Sequence, residues 1–536
     1  MDIEEVLSRL DEWVAGHRGE GLSPLQKQII QRAWEGQTYD KMEVPGYTIG
    51  YIEKVVAPTL WKLLSEVIGE QVTKKTFQIV LVPALERRAQ QQRPEPVPQP
   101  PDTSKVLDCN AIPRHDWDGA PDVSVFYGRT GELATLEQSI VKDGCRLVAI
   151  WGLGGIGKTA LAARLAQQIQ DKFELVIWRS LAGGPLLPEF LADLVKSMSN
   201  RQEAEGSVSC LIHALRQRRC LVILDDVEAL LRSDDLAGKY REQYKDYEEL
   251  IRQVAVQPHH SCLLLVGREQ PRTVSLLAQN TLQVRSLPVE GLQEADARKI
   301  LEEQGLSDPD NWGRLIELYR GNPASLKVIS KRIQILFQGE VSKFINLNTV
   351  LVSDICELLD SQFSRLSSLE EDIMYWLAIV RTPVSFSALL EYLKWQGSKA
   401  KVMEALESLE RRLLMEKSTE DSDSLFTLQP VVMKYVTVNF TEEVIKEILD
   451  LLETEEIDSS RLFRSHALVT APALSEVGQI QFRLIITSIK SEMLGKFRTK
   501  NNILDRMERL LSKLQGNSLL EVGYAADNLH PLLASL

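Results

Sequence analysis

The stretch RLVAIWGLGGIGKTALAARL, residues 146 to 165, leaves the chain little local choice. An apolar run over 147–151 meets four glycines, then Lys-Thr, then an Ala/Leu-rich helical pattern. The spacing GxxxxGK[ST], from Gly152 to Thr159, predicts a strand, a loop and a helix in that order. Gly152, Gly154, Gly155 and Gly157 let the backbone turn tightly and aim successive N–H groups into one concavity. The helix that follows adds its own unpaired N–H groups and partial positive charge. The phosphate cradle is therefore assigned to Gly152, Gly154, Gly155, Ile156, Gly157, Lys158, Thr159 and Ala160. Lys158 supplies a mobile point charge for phosphate oxygens. Thr159 offers a hydroxyl to Mg2+, a cation that takes oxygen ligands and keeps several waters.

A phosphate loop of this kind needs an acid at the end of another buried strand. CLVILDDVE (220–228) supplies one, with Asp225 expected to hold the metal's water shell and Asp226 to act as base or water-positioner. Adjacent carboxylates after an apolar run are otherwise hard to explain, because uncompensated buried charge is costly. In CLLLVGREQP (262–271), Arg268 closes a further strand and is expected to sense a γ-phosphate, with a surface arginine as the bland alternative.

At 536 residues the chain has room for three to four domains. Hydrophobic content of 44% and charged content of 26% are those of ordinary globular protein. A net charge of −13 argues against non-specific nucleic-acid binding through a global positive field. The cysteines at 109, 145, 210, 220, 262 and 356 are scattered without CxxC pairs, so a zinc site is not expected and a reducing compartment is. Cys220 and Cys262 open apolar runs and read as buried thiols. The acidic N-terminus lacks the plan of a secretion signal, and no run approaches a membrane span, so the expected location is cytoplasmic.

Helical spacing governs residues 1–88, and proline-rich QQQRPEPVPQPPDTSK marks a linker over 89–122. Strand and helix alternate over 123–275, where short, nearly continuous apolar runs suit a parallel sheet covered on both faces. Beyond about 285 strands are expected to be scarce, apart from a polar-tipped hairpin over 413–428.

FYGRTGEL (126–133), GLGGIGKTAL, LDDVE, LVGRE and YRGNPASLK (319–327) occur in the order and spacing of the NB-ARC family, the STAND-class nucleotide switches. The resemblance covers about 123–435. It implies an α/β P-loop nucleotide-binding domain over 123–275, a small helical domain over 276–345, a winged helix over 346–440 and a C-terminal helical domain over 441–536. LSPLQKQIIQRAWEGQTYDKM (22–42) resembles the helix-turn-helix-like head of bacterial members, giving a small all-α domain in front. By the same resemblance Phe126, Tyr127 and Arg129 contact adenine and ribose, and Pro323 with Ala324 closes over them. Where the family places Met-His-Asp, this chain has Leu428, Gln429 and Pro430. Gln429 is then the sensor of the β-phosphate, a neutral hydrogen-bonding group in place of a histidine.

What the resemblance implies is a signalling switch, ADP-bound and closed at rest, ATP-bound and self-associating when triggered, in defence or stress signalling. ATP hydrolysis would be slow and would reset it. The alternative is a transcription regulator whose head binds DNA. Up to Leu85 there are nine Lys/Arg and twelve Asp/Glu, and the segment Thr48 to Val56 offers only Lys54, offset by Glu53. That balance favours a protein partner for the head over DNA. Switches of this family carry sensor repeats after the helical region. None is seen here, so the sensor is expected to have been removed or to be a separate partner.

Overall fold

The computed structural model describes residues 6, 10–11, 13–14, 22, 24–34, 56–68 and 72, then 115–117, 119–198, 206–347, 351–393, 398–420, 423–497, 499–514 and 522–536. The chain divides into two compact units, Met1–Leu107 and Asp108–Leu536.

In the first unit, α1 (Pro24–Trp34) and α2 (Ala57–Ile68) carry one apolar face each. Ile29, Ile30 and Ala33 on α1, and Leu60, Leu64 and Val67 on α2, share one small core with Val6, Leu10 and Val14. Lys27 ties α1 to Asp11 at 2.6 Å. Of the segment 48–56, weighed above as a DNA-reading helix, only Val56 is among the described residues, and the proline-rich stretch at 89–114 lies outside them.

The second unit is built on a six-stranded parallel sheet. Its strands are β1 (His115–Asp116), β2 (Leu147–Trp151), β3 (Leu175–Ser180), β4 (Cys220–Asp225), β5 (Cys262–Gly267) and β6 (Val284–Pro288), in the spatial order β1-β3-β4-β5-β2-β6. Every residue of β2, β4 and β5 is buried, which is why these strands read as unbroken apolar runs. Alternation divides each strand between two cores: Val148 and Ile150 enter one, Leu147 and Ala149 the other. Helix α3 (Lys158–Ile169) covers one face through Leu161, Ala162, Leu165, Ala166 and Ile169. Cys220 and Cys262 are buried, as their positions predict.

The sheet runs past both ends of 123–275. At one edge β1 pairs with Val176 and Ile177, and at the other β6 pairs with the whole of β2. Both lacked an apolar signature because β1 is two half-buried residues and β6 is buried only at Val284.

Helices dominate after the sheet. Helix α4 (Pro323–Phe337) starts with proline at its first position and ends at Gln338 in the left-handed region. After α5 (Ser353–Phe363) and α6 (Ser368–Val380) come β7 (Val384–Ser385), a short helix at Phe386–Tyr392 and α7 (Lys399–Arg411). The hairpin β8 (Glu416–Glu420) and β9 (Asp423–Thr427) then pairs with β7 through β9. Helix, strand, two helices and a hairpin are the order of a winged helix, and the hairpin lies within 413–428. Helix α8 (Pro430–Thr454) starts inside the winged helix and continues 14 residues past 440. It packs on α6 and on α9 (Thr487–Phe497), whose approach is a π-helical turn, Phe482–Ile486. Among the described residues, no helix is long and apolar enough to cross a membrane.

Candidate functional site

The strand order places the acids. Strand β5, which ends before Arg268, lies between the phosphate-loop strand β2 and the acid-bearing strand β4. Neighbouring strands sit about 4.8 Å apart, so three functional segments line up along the carboxyl edge of the sheet.

The loop after β2 turns through Gly155 (φ 73°) and Gly157 (φ 98°) before α3 begins at Lys158. Both torsions are ones that L side chains avoid. A Cβ on Gly155 would also sit 2.6 Å from the Ala324 Cβ. Lys158 Nζ donates to the carbonyls of Gly152 and Leu153, each at 2.9 Å. Burial pulls its pKa down to about 8, although Glu228, Asp225 and Asp226 act the other way. A lysine desolvated beside carboxylates is well matched to an incoming anion.

Thr159 Oγ1 donates to Asp225 Oδ1 at 3.4 Å. Burial, reinforced by the neighbouring Asp226, pushes the Asp225 carboxyl up to about 6. A hydroxyl and a strained carboxylate are both hard oxygen donors, and a bound dication would relieve that strain, so this pair fits Mg2+. Asp226 sits in the left-handed region at φ 59°, and its Oδ2 accepts from Ser180 Oγ at 2.7 Å. Arg268 donates from Nε to Glu228 Oε1 at 3.1 Å and from Nη1 to Ser361 Oγ at 2.6 Å. It is thus held between the sheet edge and α5.

The segment before the first helix divides its contacts. Phe126 packs on the sheet core, and Tyr127 on the small helical core beneath Lys327, whose Nζ lies 5.5 Å from the ring centre. Arg129 is buried and donates to the Ile156 carbonyl of the phosphate loop at 2.9 Å. Pro323 and Ala324 lie against the same loop, where the Ala324 N–H donates to Gly155 O at 3.3 Å.

Two residues went unremarked in the sequence. Asn322 caps α4 by accepting from the N–H groups of Ala324 and Ser325, and its Nδ2 donates to Gly154 O at 3.0 Å. Its signal was the Asn-Pro pair at a helix start. Gln362, on α5, is 6% exposed, and neither of its amide atoms has a hydrogen-bond partner. A lone glutamine on an amphipathic helix gives no such signal.

A cavity of about 740 Å³ gathers Gly154, Ile156, Asn322, Gln362 and Gln429 from the phosphate loop, the small helical domain and the winged helix. Gln429 precedes α8, and its side chain makes no capping bond. The other residues expected to hold nucleotide, Gly152, Gly155, Gly157, Lys158, Thr159, Ala160, Asp225, Asp226, Arg268, Arg129, Phe126, Tyr127, Pro323 and Ala324, do not line this cavity.

Two ionic contacts span the same domains. At the cavity wall Arg320 donates from Nε and Nη2 to the two carboxylate oxygens of Glu416, at 2.8 and 2.9 Å. Beyond the sheet edge, Glu269 follows Arg268 directly and receives Arg365 at 2.5 Å and also Arg412. Arg412 Nε reaches Glu370 at 3.2 Å. Glu370 also accepts from Ser408 Oγ and from the N–H and hydroxyl of Ser367. The group joins the end of β5 to α5, α6 and α7 with two charges of each sign.

Residues 129–243 match the NB-ARC domain family, and residues 1–83 match the vWA-MoxR associated protein N-terminal HTH family. An uncharacterized WD repeat-containing protein of Nostoc sp. is 37% identical over 466 residues, 78% of this chain and 37% of the relative. The disease resistance protein RPS5 of Arabidopsis thaliana is 25% identical over 126 residues, 22% of this chain and 14% of the relative. The chain thus spans little more than a third of the longer match. Among solved structures, a STAND protein with a tetratricopeptide repeat sensor from Pyrococcus horikoshii has 17% identity and a TM-score of 0.32, covering 78% of this chain and 59% of the other. The chain carries an NB-ARC nucleotide-binding domain behind an N-terminal helix-turn-helix domain.

Proposed function

We propose that the chain is an adenine-nucleotide switch, closed around ADP at rest and opened by ATP. The observation that carries this reading is the cavity in which the phosphate loop, the start of α4 and the start of α8 meet. A ligand held by all three segments also holds three domains together, and a change of its phosphate count changes what each domain touches. Arg129, Asn322 and Ala324 brace the phosphate loop beside the cavity. Lys158, Phe126, Tyr127, Pro323 and Ala324 lie outside the cavity wall, and their roles toward phosphate and nucleoside rest on the family resemblance and require the site to extend past Gly154 and Ile156. Gln362 and Gln429 present neutral amides from the winged-helix side. Thr159 and Asp225 would hold Mg2+, which supplies charge neutralisation at the terminal phosphates. Asp226 orients a water for slow hydrolysis that resets the switch, with Arg268 reporting the γ-phosphate through its pairing with Glu228 and Ser361.

Opening is proposed to expose surfaces for self-association. The head is assigned a protein partner, in keeping with its acidic balance and with a family described as associated with vWA and MoxR proteins. A repeat sensor of the kind that the Nostoc relative's name records would supply the trigger. A cytoplasmic location and a defence or stress role complete the reading.

The test is the nucleotide that copurifies, released by denaturation and separated by ion exchange. ADP is expected in wild type, and Lys158→Ala should lose it. A wild-type site that binds neither ADP nor ATP, or prefers guanine nucleotides, would overturn the proposal.

A further inference from the structure

A second groove, of about 380 Å³, lies between α8 and α9, away from the nucleotide cavity. Its walls carry the hydroxyls of Thr437, Thr441, Ser488 and Ser491, with Lys434 on α8. Lys434 lines the groove, Arg381 reaches it through Thr437, and Arg483 adjoins Leu484 in its wall. Arg381 ends α6 in the left-handed region at φ 63°, and its Nη1 donates to Thr437 Oγ1 at 3.2 Å. Lys434 stands one turn before Thr437 on the same face of α8. Arg483 follows Gln481 by two residues, and the buried Gln481 donates to Ile379 O at 2.7 Å, two residues before Arg381. That bond brings the turn carrying Arg483 beside the end of α6.

None of the three cations has an ion-pair partner among the described residues. By contrast, Arg179 pairs with Asp116 and Asp193, and Arg365 and Arg412 pair with Glu269. Burial and mutual repulsion hold both Arg381 and Lys434 below their ordinary pKa values. The groove's carboxylates, Glu442 and Glu492, sit eight and nine residues along their helices from Lys434 and Arg483, about 12 Å by helical rise. The π-helical turn at Phe482–Ile486 is a further departure from regular geometry at the same spot, and such turns recur at functional sites.

We infer that this groove binds a phosphate dianion, free or carried on a small organic molecule, between Arg381, Lys434 and Arg483. Three cations match its charge. Thr437, Thr441 and Ser488 already donate to the carbonyls of Met433, Thr437 and Leu484, so the cations supply the donors. The volume is at the small end of ligand pockets, which run about 300–1,000 Å³.

The test titrates inorganic phosphate and ribose 5-phosphate into the full chain held in saturating ADP and Mg2+, read by calorimetry. Lys434→Gln/Arg483→Gln removes two cations at exposed or half-buried positions, and unchanged ADP affinity checks its fold. Wild type should bind both probes at one site, and the double variant should weaken both by about tenfold or more. Tighter binding of ribose 5-phosphate would assign an organic phosphate, and equal binding the free ion. Undiminished binding in the double variant, no binding in wild type, or loss on Lys158→Ala alone would overturn the site.

Discussion

Arg320–Glu416 and Arg412–Glu269 are built from the same two functional groups and differ in their access to water. The first pair has ideal fork geometry, with side chains 39% and 31% exposed. Arg412 and Glu269 are 5% and 2% exposed, and Glu370, which completes the group, is fully buried. Water already solvates the exposed charges, so their pairing contributes little and salt weakens it further. The buried charges have lost that solvation, and every partner they keep is then hard to give up. One contact is therefore a releasable catch beside the cavity, and the other is a fixed joint between the sheet edge and the winged helix.

The largest effect should come from breaking the joint. Arg412→Ala leaves Glu269 and Glu370 without their shared guanidinium, and urea unfolding should show a loss of about 3–5 kcal/mol. A loss below 1 kcal/mol would mean that water enters the site and the two contacts are alike.

Gln362 carries the comparison to an uncharged group. Gln362→Met keeps the volume and removes an unpaired buried amide, so the nucleotide-free protein should gain about 1–3 kcal/mol in the same assay. ADP affinity should fall at the same time, by about five- to tenfold for a neutral hydrogen bond. A residue that merely fills space would not move the two in opposite directions.

Acid tests burial without pairing. His466 is fully buried among Tyr375, Trp376 and Phe440, and burial pulls its pKa down to about 3. The nearest carboxylate, Asp372 at 3.8 Å, is itself held by Arg461 at 2.8 Å. The unfolded chain takes up a proton below about pH 6.5 and the native state does not, so stability is full above that pH and falls as pH drops. By pH 5 the His466 contribution should have lowered stability by about 2 kcal/mol relative to His466→Gln. Parallel pH profiles for the two proteins would refute the assignment.

The smallest effect belongs to the catch. Arg320→Ala should change stability by about 0.2–1 kcal/mol, and less in high salt. Its signature is kinetic: ADP release, followed by chase of a fluorescent analogue, should quicken modestly at low salt and match wild type at high salt.

Legibility divides along the same line. The strand–loop–helix around GLGGIGKT and the buried strand that ends at Asp225 could be read because each is written in one short run, where local spacing fixes geometry. The joint could not, since Glu269, Glu370 and Arg412 are far apart in sequence and each resembles a surface charge. Gln362 was hidden for the same reason. Strands β1 and β6 escaped because they lie at the sheet edges, where burial is partial and the apolar pattern thin. Arg268 was placed correctly at a strand end, but only the strand order reveals that this strand separates the phosphate loop from the acids.

Helix α8 runs unbroken for 25 residues, so it spans about 37 Å. Its first residue follows Gln429 at the cavity, and its length carries it into the C-terminal helices. A rigid rod pivoted at one end magnifies rotation into travel: a tilt of about 10° at the cavity sweeps the far end through about 6 Å. That distance exceeds the rise of a full helical turn, so a tilt of this size at the cavity end would reach Thr454 as a displacement that side-chain packing cannot absorb.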